Sequence, residues 1–131
     1  MVKSSNLFLW SGMVLILMVG LIHVMDAKDS FSDAAYKGWL FYANGGTAVI
    51  VAYGIYRKQN WAWNLALIVA VGSFGGYVAS RTVGLPFIPA EPENWFEPLG
   101  ITSLVTEGLF VVTFFGRKYV SHEIILPKIN Q

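Results

Sequence analysis

Four apolar stretches of 19 residues each, 7–25, 38–56, 62–80 and 98–116, limit what this chain can fold into. A helix rises about 1.5 Å per residue, so each stretch reaches roughly 28 Å, close to the ~30 Å hydrocarbon core of a bilayer. A water-soluble domain of 131 residues has too little interior to hide four such helices. The expected fold is all-α: a polytopic membrane protein of four antiparallel transmembrane helices, one domain over 1–131. Hydrophobic residues at 55% and charged residues at 13% agree with that class. The longest segment outside the stretches, 81–97, has 17 residues and cannot form a second domain. The first stretch is longer than the apolar part of a usual signal peptide and no small-x-small cleavage site follows it, so it reads as a retained helix.

Basic residues set the expected orientation. Lys3, Arg57, Lys58, Arg117, Lys118 and Lys128 fall on one side, while Lys28, Lys37 and Arg81 fall on the other. Six against three places both termini in the cytoplasm of a multi-pass protein of the cell membrane. The acids Asp26, Asp29, Asp33, Glu91, Glu93 and Glu97 lie on the outer side, and Glu123 lies inside. A basic inner rim suits anionic lipid headgroups. The basic residues are scattered, which gives no nucleic-acid surface. Cysteine is absent, which removes disulfides and thiolate chemistry.

Along the chain, DAKDSFSDAAYK (26–37) reads as the first outer loop, and RKQN (57–60) as a tight inner turn between the second and third helices. Gly72 and Gly76 share a face of the third helix and predict close approach of a neighbouring helix; Gly45 and Gly46 suggest the same on the second. Trp10, Tyr56, Trp61, Trp63 and Tyr119 mark an inner aromatic belt, and Trp39, Phe41, Tyr77, Trp95 and Phe96 an outer one. The second outer segment, RTVGLPFIPAEPENWFEPLG (81–100), carries Pro86, Pro89, Pro92 and Pro98 around Trp95. Its prolines exclude a regular helix or strand and lower the entropy lost on docking, so it reads as an ordered cap. Pro98 suits the first turn of the last helix, with Glu97 near the positive end of its dipole.

Function is sought in polar groups that a bilayer would otherwise reject. Glu107 lies nine residues into the last stretch, roughly 13 Å below its outer end, where a carboxylate must be paired, protonated or wet. His23, Asn44, Tyr77 and Arg81 fall in the same half, so every helix contributes. This cluster admits an internal knot in which Glu107 accepts hydrogen bonds from Arg81, Asn44 or Tyr77. It also admits a proton or ion path, a metal site or a contact with another subunit. His23 and Glu107 supply only two of the three or four ligands a metal needs. No nucleophile elbow, phosphate loop or metal-binding motif is present. No catalytic residue, cofactor or metal is therefore expected. An Arg81–Glu107 charge pair is a further expectation, against a vertical gap of roughly 10 Å or more.

The positions Arg81, Thr82, Gly84, Leu85, Pro86, Glu97, Pro98, Gly100 and Glu107 resemble the signature of small four-helix membrane proteins of archaea and bacteria. That resemblance implies the fold and no activity. A second resemblance is to the accessory subunits around archaeal ammonia monooxygenase and related copper membrane monooxygenases. It implies a non-catalytic structural subunit whose partners are other integral membrane proteins. The rival reading is a self-contained small transporter or ion-conducting homo-oligomer built on the cluster around Glu107.

Overall fold

A computed structural model describes residues 2–125 of the chain, with side chains from 5 to 122. Lys3, Glu123 and Lys128, which enter the charge count, lie outside the described side chains. The described residues form four α-helices: α1 (Val2–Asp33), α2 (Ala35–Tyr56), α3 (Asn60–Thr82) and α4 (Pro98–Ile125). Three helical stretches, Ser5–Asp33, Asn60–Thr82 and Pro98–His122, are long and apolar enough to cross a membrane. α2 has the length but is not among them. Tyr36, Tyr42, Asn44, Tyr53, Tyr56 and four glycines dilute its apolar side chains.

Contacts fix the arrangement. Gly20 and Val24 of α1 meet Ala48 and Gly45 of α2. Gly54 of α2 meets Ala62 of α3, and Trp63 of α3 packs on Phe110 and Phe114 of α4. In each pair one number rises as the other falls or the link between them is short, so consecutive helices run antiparallel. The helices form a ring in the order α1, α2, α3, α4. The core is Ile16 and Val19 of α1, Val51 and Ile55 of α2, Trp63 of α3, and Phe110 and Phe114 of α4.

The closest approach is between α1 and α2. A Cβ on Gly20 would collide with the Ala48 methyl, and one on Gly45 with the Val24 side chain. Such small-residue contacts let two helix backbones approach closely. Gly46 faces open space and takes no part.

α1 runs eight residues past its expected end, and the segment 26–33 is helical rather than a loop. Its small residues explain this. Ala27 and Ser30 are buried and continue the stripe begun by Ile16, Val19 and His23 at helical spacing. Chain reversal occurs at one extended residue, Ala34 (φ −163°, ψ 141°). Phe31 closes the reversal. Its ring fills the space that a side chain on Gly38 would need, and it meets Trp39 edge-on at 5.4 Å.

Trp63, expected at the inner belt, is instead buried. It stacks on Phe110 at 5.9 Å under the Arg117 guanidinium at 4.8 Å. Arg117 also donates to Asn60 Oδ1 at 3.0 Å. Trp10, Tyr56, Trp61 and Tyr119 are exposed, as belt residues would be.

Between α3 and α4 the chain folds back on the bundle end. Leu85 and Ile88 exchange two backbone hydrogen bonds of 2.9 Å around Pro86 and Phe87. Gly84, at φ 86°, has no room for a Cβ because the Ile88 carbonyl lies 2.7 Å from where it would be. Pro92–Asn94 form one 3-10 turn, and Pro98 opens α4. Tyr36 of α2 donates to the Pro86 carbonyl at 2.7 Å, which ties this connector to the first hairpin.

Candidate functional site

Arg81 pins the connector. It is buried at the end of α3, with its guanidinium 4.7 Å from the centre of the Tyr77 ring. Its Nε donates to the Asn94 carbonyl at 3.1 Å and one terminal nitrogen to Glu91 at 3.1 Å. The other terminal nitrogen lies 3.5 Å from Glu97. Every charged contact of Arg81 is therefore with the connector. The expected pair with Glu107 does not form. Carboxylates at its own end of the helix satisfy the arginine without a reach inward past apolar side chains.

Tyr77 also serves the connector. Its hydroxyl donates to the Trp95 carbonyl at 2.9 Å, and its ring occupies the space beside Gly100. Asn44 bridges instead to Ser73 of α3, its amide donating to Oγ at 2.7 Å. Neither reaches Glu107, so the expected knot does not assemble as such.

Glu107 finds other partners. It is almost fully buried; Ser103, one turn earlier on α4, donates to its Oε1 at 2.7 Å. His23 of α1 faces the same oxygen, with Nε2 at 3.9 Å. The other ring nitrogen, Nδ1, lies 2.8 Å from the Val19 carbonyl. A carbonyl can only accept, so Nδ1 carries a proton. In a neutral ring Nε2 is then a bare lone pair facing a carboxyl oxygen. The contact is attractive only if the His23–Glu107 unit holds one more proton, on either partner. Glu107 Oε2 has no hydrogen-bond partner among the described residues.

Above this dyad lies a cavity of about 580 Å³ between the helices. Its volume is in the range of small-molecule pockets. His23, Asn44, Tyr77 and Arg81 line it, while Glu107 stands behind the wall that His23 and Ser103 form. Four of the five expected cluster residues are thus brought to one space. One end is charged, with Asp26, Lys37, Arg81 and Glu97 on its wall. The far end is apolar, with Ile68 and Val69. From Arg81 to Ile68 the wall follows α3 for roughly 20 Å.

Gly72 and Gly76 widen the cavity on its α3 side. Both line it, and a Cβ at either would meet nothing within 4 Å. The expected close approach of a neighbouring helix at these glycines does not occur. α2 and α3 touch at Gly54 and Ala62 beside their turn and separate toward the other end. Asp26, Lys37 and Glu97 were legible only as outer-surface charges. A signal for Asp26 exists, since it lies three residues from His23 and so on the same helical face. Among the described residues no group of three His, Asp or Glu side chains is placed to hold a metal. No protein-family model, characterised protein or solved structure matches the chain.

Proposed function

We propose that this chain is an integral membrane protein of four spans, α2 being the second, which binds a small amphipathic molecule inside its bundle. The connector at 83–97 lies on the outer face and both termini are cytoplasmic. The cavity supports the binding role: it is open enough to admit a ligand, charged at one end and apolar at the other. The role is non-catalytic. The exposed Trp39, Leu40, Val49 and Ile50 support a lipid-facing α2. Arg57 and Lys58 in the inner turn, with Arg117 beside Asn60, give the basic rim for anionic headgroups.

Photolabelling with a diazirine-bearing alkanol tests the cavity. Adducts on Ile22 or Val69, competed by unlabelled alkanol and lost in a Gly72→Leu/Gly76→Leu variant, are the expected result. Adducts confined to the outer surface would remove the binding role. Cysteine-accessibility labelling at Ser32 and Asn94 tests the orientation, and both sites are expected to react from outside the cell. Ser4, the inner control, lies outside the described side chains.

A second role has its own observation. Phe87 at 96%, Phe96 at 87% and Val83 at 83% exposure stand on or beside the connector, at the bundle end rather than along its lipid-facing sides. Apolar rings there suit another integral membrane subunit, so the protein would be an accessory component of a larger enzyme complex. A copper monooxygenase of the ammonia-oxidising kind is the partner to test first. Co-migration with larger subunits on blue-native electrophoresis supports this role, and migration only as a small homo-oligomer counts against it.

A further inference from the structure

We infer that the cavity selects an amphipath with a cationic head, and that Asp26 is the group that holds it. This rests on the binding role proposed above and names the ligand class of the same site. The inference follows from how the charges at the polar end are already matched. Lys37 is paired with Asp33 one turn away at 2.5 Å, and its ammonium lies 5.6 Å from the centre of the Phe41 ring. Arg81 is held by Glu91 and Glu97 together with the Asn94 carbonyl. Both cations on the cavity wall are therefore taken. An anionic head would have to displace a carboxylate from one of them.

The acids are not matched in the same way. Four carboxylates, Asp26, Asp33, Glu91 and Glu97, stand at this end against the two cations Lys37 and Arg81. Glu97 shares Arg81 with Glu91 at the longer distance of 3.5 Å. Asp26 is half-buried on the cavity wall and makes no hydrogen bond or ion pair with any described residue. Lys28 is close in sequence but lies about 200° round the helix and is exposed on the other side. Lys37 is the one cation within electrostatic reach of Asp26 among the described residues, but it is paired with Asp33, while Glu97, Asp29 and Asp33 add negative charge around Asp26; a ligand ammonium would offset that excess. The apolar stretch toward Ile68 and Val69 would take the attached chain.

The experiment is the photolabelling assay with three unlabelled competitors of equal chain length: dodecyltrimethylammonium, dodecanol and dodecyl sulfate. The ammonium compound is expected to compete about tenfold more strongly than the sulfate in the native protein. Asp26→Asn should leave the cavity adducts in place and bring the competitors to within about threefold of each other. Asp26→Lys should reverse the order, and Asp26→Glu should restore it. Equal competition in the native protein would overturn the inference while leaving the binding role intact. A cation preference that survives Asp26→Asn would overturn the assignment to Asp26. Failure to label the cavity at all would take down both the binding role and the inference. Thermal unfolding of each variant checks that it folds; a half-exposed, unpaired carboxylate is not expected to matter there.

Discussion

The two glycine-bearing faces of this bundle look alike in sequence and differ in use. On the α1–α2 side, Gly20 and Gly45 are filled to contact by Ala48 and Val24. On the α2–α3 side, Gly72 and Gly76 face empty space and enlarge a cavity. Small residues at a four-residue spacing permit close approach but do not bring it about. What decides is whether the partner helix is held there by the rest of its length. α2 is tied to α1 by a one-residue reversal under Phe31. At that same end it is joined to the connector rather than to α3, the Pro86 carbonyl taking the Tyr36 hydroxyl.

Substitutions at the two faces give the sharpest contrast. Gly45→Leu should cost about 3 kcal/mol or more, since Val24 and the α1 backbone have nowhere to go. Thermal unfolding in detergent would show it, and a native-like midpoint would mean the α1–α2 contact is not tight. Next in size is Arg81→Ala, which strands Glu91 and Glu97 and releases the connector, at about 1–3 kcal/mol. Proteolysis within 83–97 should speed up with it. Adding Glu107→Gln should be additive to within about 0.5 kcal/mol, because the two side chains share no partner. A larger coupling would restore an Arg81–Glu107 interaction. Ser73→Ala removes the hydrogen bond with Asn44 across the open side, and the loss should be about 0.6 kcal/mol, as for interhelical bonds of this kind. Gly72→Leu and Gly76→Leu should change stability by no more than about 0.5 kcal/mol. A loss as large as that of Gly45→Leu would show that the open side closes.

Hydropathy made three helices long and apolar enough to cross a membrane legible, since a long apolar run alone suffices to find such a helix. It missed the end of α1, because Ala27 and Ser30 are small or polar and read as loop beside Asp26, Lys28 and Asp29. It misread Trp63, whose ring is buried among Phe110 and Phe114 instead of marking an interface. For the site, the membership of His23, Asn44, Tyr77 and Arg81 was visible from their depth along each helix. Their pairing was not. Depth takes no account of rotation about the helix axis, nor of a connector without periodicity. Glu91 and Glu97 reach Arg81 through turns set by Gly84 and Pro92, and no repeat in the sequence announces such turns.

The single-residue reversal at Ala34 also bears on how the proposed four-span protein would enter a membrane. In the four-span arrangement there is no flexible loop between α1 and α2 to be carried across by itself. Asp26, Lys28, Asp29, Asp33 and Lys37 ride on helical turns whose backbone groups are already bonded. If α2 is the second span, as proposed, the two helices would cross as a prefolded pair. A nascent chain stalled before Gly45 would leave His23 and Ser30, both buried in the finished protein, turned toward lipid.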